Sequence, residues 1–269
     1  MINTLIFSKD RALQLDLLLK SIEENSKDIF NINVLYKSSE DNFKEGYEII
    51  KEKHPNVNFI KEKEKFKEQT LEIINNSELE LFTFLTDDSL FFNKVDEQEI
   101  INSFKEDKNN LCFSLRLGKN TTFCYVVNSD NKLHGEEKVG DKSMKWDWQK
   151  HFLDYHFPFS INGHVYNKKE IYKLIKKIQF TGPNELEEGL QIFNSYPKNI
   201  MSSYEQSVLV NTPLNIVQDY CFNKFGETHS YTPNELNNYL ISGNTIDYQE
   251  IKTENVYSCF QEIKLPIEN

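Results

Sequence analysis

The 269-residue chain is acidic, with a formal charge of −11, 38% apolar residues, 20 Phe and 13 Tyr. That aromatic content supports a packed core and excludes a disordered chain. The acidity excludes a nucleic-acid coat, which needs a basic surface, but leaves room for a local pocket for one small phosphate group. No apolar run approaches the ~18–20 residues of a membrane span, so no transmembrane segment is expected. Met1 to Phe7 lacks the basic start and small-residue cleavage site of a signal peptide. Cys112, Cys124, Cys221 and Cys259 form no CxxC pair, so neither a zinc knuckle nor a disulfide framework is indicated. Together these features predict a cytosolic (cytoplasmic) protein. The chain has 29 Lys and 30 Asn but a single Ala and two Arg, Arg11 and Arg116. The planar guanidinium fork suits phosphate and carboxylate better than a lysine does, which marks both arginines as candidate binding groups.

The first hundred residues alternate strand and helix. Asn3 to Phe7 reads as a buried strand. Asp10 is a plausible cap for a helix carrying Leu13, Leu17, Leu18 and Ile22 at helical spacing. Asn33 to Tyr36 predicts a second strand, Phe43 to Lys53 a second helix, Val57 to Ile60 a third strand and Lys67 to Asn75 a third helix. Leu81 to Leu85 is the most apolar strand and stops at Thr86-Asp87-Asp88. Repeats of this length build a parallel sheet with right-handed crossovers, with ligands at the carboxyl ends of the strands. Further on, Leu111 to Leu117 and Phe123 to Val127 predict strands of a mixed sheet. Asn128 to Lys142 predicts an exposed loop, and Glu170 to Ile178 a helix. Beyond Val217, Asn and Tyr dominate and the periodic signal weakens.

Asp87-Asp88-Ser89, at the end of the fourth strand, is the strongest local feature. Two adjacent carboxylates repel unless a cation or donor sits beside them. A divalent ion held by one or two carboxylates plus substrate phosphates is one solution. An Asp-Asp turn in which Asp88 or Ser89 caps a helix is the other.

In that context Asp87-Asp88-Ser89 resembles the DxD region of the GT-A glycosyltransferases, which transfer sugars from nucleotide-sugars. A wider resemblance, to a group of bacterial glycosyltransferase-like proteins, covers nearly the whole chain. It runs through Phe7 to Arg11, Val34 to Tyr36, Cys112 to Gly118, Trp146-Asp147-Trp148, Gly163 to Tyr166, Pro183 to Glu187 and Asn211 to Asn215. It implies an α/β GT-A fold: a mostly parallel central sheet flanked by helices, with a smaller mixed sheet in the second half. It also implies a single domain, with a nucleotide-binding half (1–92), an acceptor half (93–217) and a C-terminal extension (218–269). The expected partners are a nucleotide-diphosphate sugar donor and a saccharide or other hydroxyl acceptor, with no nucleic acid. The expected cofactor is Mn²⁺ or Mg²⁺.

Carried over position by position, the resemblance puts Ser8, Asp10 and Arg11 beside the nucleotide. Arg11 forks the diphosphate, or else forms a surface salt bridge with Asp10 or Asp16. Ser38 and Glu40 flank the base, or form a plain turn. Arg116, the second arginine, joins the donor-binding set. Asp88 is the metal ligand, with Asp87 on the ribose or on a metal-bound water. Ser89 stands where the family commonly has a third acid, which weakens the metal assignment. His164 is a late metal ligand, a diphosphate contact, or a structural histidine. Glu187 falls at the place of the general base of inverting enzymes, on one face of a starting helix with Asn184; the same spacing also fits Asn184 as N-cap with Glu187 as its N3 partner. Trp146 and Trp148 offer faces for a sugar, with Asp147 on its hydroxyls, or else are core. Asp147 is the next carboxylate to consider as base. Two other functions compete: a nucleotidyltransferase, which typically needs a Gly-rich loop absent from Phe7 to Arg11, and a non-catalytic scaffold with a degenerate site.

Overall fold

The computed structural model describes residues 1–218, 224–251 and 255–267. The first half follows the expected alternation: β1 (Ile2–Lys9), α1 (Ala12–Ser26), β2 (Phe30–Lys37), α2 (Asp41–Lys53), β3 (Asn58–Lys61), α3 (Phe66–Asn75) and β4 (Leu81–Thr86). A short β5 (Ser89–Phe91) and α4 (Glu97–Glu106) lead to β6 (Asn110–Ser114). Then come β7 (Phe123–Cys124), β8 (Ser129–Asp130), β9 (Glu137–Val139), β10 (Ser143–Asp147) and β11 (His164–Asn167). The chain continues through α5 (Lys168–Ile175), α6 (Pro183–Leu190), β12 (Ile200–Tyr204), β13 (Leu209–Asn211) and α7 (Pro233–Ile241).

Among the described residues the central sheet has nine strands in the order β3-β2-β1-β4-β11-β6-β12-β10-β9. The β3-β2-β1-β4 half is parallel, β11 is antiparallel to both its neighbours, and β12 runs parallel to β6. The proposed boundary near residue 92 therefore divides the chain but not the sheet. Strands buried on both faces read as continuous apolar runs. In β1, Ile2 and Ile6 enter one core with Leu18, Tyr47 and Val210, while Leu5 and Phe7 enter the other with Phe66, Phe84 and Trp146.

Several local expectations are corrected. Phe123 to Val127 does not join the main sheet; β7 pairs with β8 as a short hairpin, and Phe123 also bridges to Ser258. The segment 128–142, expected as loop, contributes β8 and the edge strand β9. Asp10 does not cap α1: the flanking residue is Arg11, without a side-chain cap bond. No helix follows Asp88 or Ser89, because Ser89 opens β5, which pairs with β13. The C-terminal region carries α7, started by a capping box between Thr232 and Glu235 and held to α2 by Asn237, whose amide donates to the Asn42 carbonyl at 2.9 Å. Cys112, Cys124 and Cys259 are buried free thiols, whereas Cys221 lies outside the described residues. No described helix is long and apolar enough to cross a membrane.

Candidate functional site

The direction of each strand decides which side chains meet. β1, β4, β6 and β12 all end at one edge of the sheet, and β11, running the other way, begins there. Lys9 to Arg11, Thr86 to Ser89, Arg116 and the loop 160–163 thus converge. β10 is antiparallel to β12, so Asp147 lies at the opposite edge.

Asp87 is 3% exposed. Its Oδ2 accepts from the Lys9 backbone N–H at 3.2 Å and its Oδ1 from Arg11 Nη1 at 3.1 Å. The same Nη1 lies 3.4 Å from Asp88 Oδ2. The cation that relieves the repulsion of the paired carboxylates is therefore Arg11. Burial still dominates Asp87, pushing its carboxyl up to about 6 against the pull of Arg11, with Asp88 adding to the rise. The rest of the Arg11 fork goes to Asn215, Nε to the side-chain oxygen at 2.7 Å and Nη2 to the carbonyl. Two expectations for Arg11 are thereby corrected. Its fork is spent within the chain rather than open to a diphosphate, and its partners are not Asp10 or Asp16.

Asp10 takes a left-handed φ of 56°, which Asp tolerates. Its carboxylate accepts from both the N–H and the hydroxyl of Ser39, each at 2.7 Å. This brace joins the end of β1 to the loop carrying Ser38 and Glu40. Ser8 is buried and shares a 2.7 Å hydrogen bond with the Tyr47 hydroxyl. Glu40 is exposed at the start of α2.

Asp88 keeps 17% of its side chain exposed. Thr86 Oγ1 donates to its Oδ1 at 2.6 Å, and Asn211 Nδ2 approaches the same oxygen at 3.2 Å. Ser89 is buried and neutral: its hydroxyl donates to Asn162 Oδ1 at 2.9 Å and accepts from Asn211 Nδ2 at 3.1 Å. Asn162 Nδ2 in turn donates to Thr86 Oγ1 at 2.8 Å. For a divalent ion, Asp88 offers the one partly exposed carboxylate of the pair, with Oδ1 already accepting from Thr86 and Asn211 and Oδ2 facing Arg11. Ser89 does not fit, since its hydroxyl is used up between two amides. Among the described residues no group of three His, Cys, Asp or Glu side chains is placed to hold an ion.

His164 is corrected as a metal ligand. Fully buried, it points Nδ1 at the Pro158 carbonyl, 3.3 Å away, and lies 3.8 Å from the Cys112 sulfur. Burial, aided by the nearby Arg116 charge, lowers it to about 3 and keeps it neutral.

Glu187 reaches across from α6 to the loop before β11. Its Oε1 accepts from Ser160 Oγ at 2.9 Å and from the Ile161 N–H at 3.0 Å. The capping-box alternative fails, because α6 starts after Gly182 with no side-chain cap; Asn184 lies inside the helix. Glu185 instead bonds back to Thr181. Asn162, whose N–H donates to Ser160 Oγ at 3.1 Å, closes the circuit to Thr86 and Asp88. Gly163 fixes this loop. It has φ +71°, donates to the Phe84 carbonyl at 2.9 Å, and a Cβ there would sit 2.3 Å from a Leu209 methyl.

The tryptophan expectation is overturned. Trp146 and Trp148 are 1% and 0% exposed, with their indole N–H groups donating to the carbonyls of Tyr155 and Lys198. Rings with no free face cannot stack on a sugar. Asp147 caps the short 3-10 turn Trp148–Lys150 and pairs with Lys150 at 3.1 Å, at the edge away from Asp88. Arg116 is not a second fork beside Arg11; it is 3% exposed and bonds Ser160. Sequence reasoning missed Tyr47, Ser160, Asn162, Asn211 and Asn215. The segment Asn211 to Asn215 did stand out, but individual asparagines are inconspicuous among 30.

No family model matches the chain. Over 98% of its length it is 27% identical to the bifunctional glycosyltransferase pgtA of Dictyostelium discoideum, and it spans 38% of that protein. Among solved structures, S. aureus TarS superposes with a TM-score of 0.50 at 14% identity, covering 78% of this chain and 36% of TarS. A structure of TarS residues 1–349 in complex with UDP-GlcNAc gives a TM-score of 0.49 at 13% identity, covering 90% of this chain and 66% of that one. The chain thus has the expected GT-A type of fold.

Proposed function

We propose that the chain transfers a sugar from a nucleotide-diphosphate sugar to a hydroxyl acceptor, with inversion. The observation that carries this is the hydrogen-bonded circuit Asp88–Thr86–Asn162–Ser160–Glu187, which ties a partly exposed carboxylate at the end of β4 to a second carboxylate held on α6. Similarity of 98% of this chain to 38% of a protein named a glycosyltransferase supports the same reaction class.

In this reading the nucleotide lies over the ends of β1 and β2, between Ser8, Asp10, Ser38 and Glu40. The diphosphate lies toward Asp88. Asp88 would hold Mn²⁺ or Mg²⁺ together with phosphate oxygens, and the ion supplies positive charge for the leaving oxygen. Arg11 keeps Asp87 and Asp88 together but does not itself clamp the phosphates. Glu187 takes the proton of the acceptor hydroxyl as that oxygen attacks the anomeric carbon, and the nucleoside diphosphate departs from the opposite face.

The test is calorimetric titration of the full chain with UDP, GDP and UDP-GlcNAc, the last being the sugar nucleotide of the TarS complex, with Mn²⁺ and with EDTA. With Arg11 already beside the carboxylates, Mn²⁺ alone should bind weakly and gain affinity only with the nucleotide. Asp88→Asn should remove that gain and leave the fold intact. Equal nucleotide affinity with Mn²⁺, with EDTA and in Asp88→Asn would remove the metal. No binding of any nucleotide would remove the transferase in favour of a scaffold.

A further inference from the structure

Arg116 is a buried cation that the reaction above leaves without a task. It follows β6, and its guanidinium packs 5.1 Å from the Phe260 ring. Nη2 donates to Ser160 Oγ at 3.0 Å, whereas Nε and Nη1 are buried with no hydrogen-bond partner among the described residues. Placing a guanidinium there is costly, because buried charges ordinarily need pairing and full hydrogen bonding. Among the described residues, the one hydrogen-bonded neighbour of its guanidinium is itself bonded to Glu187: Ser160 accepts from Arg116 and donates to Glu187 Oε1 at 2.9 Å. The Ile161 N–H donates to the same oxygen, and neither bond uses Oε2.

We propose that Arg116 and Ser160 are positioning residues for Glu187, a proposal that rests on Glu187 being the general base. The guanidinium polarises the Ser160 hydroxyl. That hydroxyl, with the Ile161 N–H, pins Oε1 and leaves Oε2 for the acceptor proton. A base held by one oxygen has one orientation, and the rate of proton transfer depends on that orientation. The three partners come from separate places in the chain: the end of β6, the loop before β11, and α6. The arrangement thus also fixes how α6 meets the sheet edge that bears Asp88.

The test uses the full chain with UDP-GlcNAc, UDP-glucose and GDP-mannose as donors, a panel of methyl glycosides as acceptors, and UDP affinity measured in parallel. Ser160→Ala should lower kcat by about tenfold, the scale of one hydrogen bond to a charged group, with KM for the donor and UDP affinity unchanged. Ser160→Thr keeps the hydroxyl and should restore most of the rate. Arg116→Lys, which keeps the charge and is the milder change at a buried site, should lower kcat without altering UDP affinity. Adding Ser160→Ala to Glu187→Gln should cost nothing further, since the base that the hydroxyl orients is already gone. Wild-type kcat in Ser160→Ala beside a crippled Glu187→Gln would overturn the positioning role and leave the base standing. Wild-type kcat in both would remove the base, and the proposal with it. No transfer by the wild-type chain would overturn the transferase reading, and this proposal with it.

Discussion

Arg11 Nη1 lies 3.1 Å from Asp87 Oδ1, so the buried carboxylate that ends β4 carries its counter-ion within the same chain. The pair is separated by 76 residues in sequence and joined by the parallel pairing of β1 with β4. Burial nevertheless raises Asp87 to about 6, so the folded state holds this proton more tightly than the unfolded chain does. Stability drawn from that proton is present in acid and lost as pH rises through about 6. Asp87→Asn cannot lose it. The melting temperature of the variant should therefore improve relative to wild type between pH 5 and pH 7.5, and a difference constant across that range would contradict the assignment.

Asp16 should behave in the opposite sense. Burial alone would raise it, but a hydrogen bond with His54 and an ion pair with Lys20, both at 2.8 Å, outweigh that and hold it below its ordinary value. A carboxylate lowered in the fold stabilises at neutral pH, and that contribution fades as pH falls through its folded value. Asp16→Asn should cost about 1.5–3 kcal/mol at pH 7, the scale of a hydrogen bond to a charged group. The cost should shrink in acid. Denaturant melts at pH 7 and pH 3.5 measure both quantities.

The buried indoles make a prediction about sugar recognition. Trp146 and Trp148 are the two tryptophans of the chain, and both lie in the core. Saccharide acceptors should therefore leave tryptophan emission unshifted at concentrations that saturate turnover. Trp148→Ala should cost about 3–5 kcal/mol in stability through the cavity it leaves. A saturable emission shift on adding an acceptor would place a sugar against an indole and contradict the packing described.

The first four strands and three helices can be read from the sequence, and β1 and β4 most directly, because strands covered on both faces are largely apolar. Leu81 to Leu85 shows this most clearly. What joins the site is less readable. The bonds from Arg11 to Asp87 and from Ser160 to Glu187 cross between elements, and periodicity carries no information about such crossings. Asn162 and Asn211 act through amide geometry, which composition hides in an Asn-rich chain. The edge strand β9 escaped notice because Glu137 and Lys138 are exposed and show no apolar pattern. Trp146-Asp147-Trp148 misled for a local reason: alternation holds only while the strand lasts, and the chain turns into a 3-10 helix at Trp148.

In the proposed reaction Glu187, anchored through Ser160 at the sheet edge that bears Asp88, removes the acceptor proton. Glu187→Gln tests it most directly, because the amide keeps size and can still accept from Ser160 but is no longer a base. With donor and acceptor in hand, turnover should fall at least ~10²-fold, the lower end of what positioned acid-base groups contribute, at unchanged UDP affinity. A Gln variant that retains half the wild-type rate would contradict it.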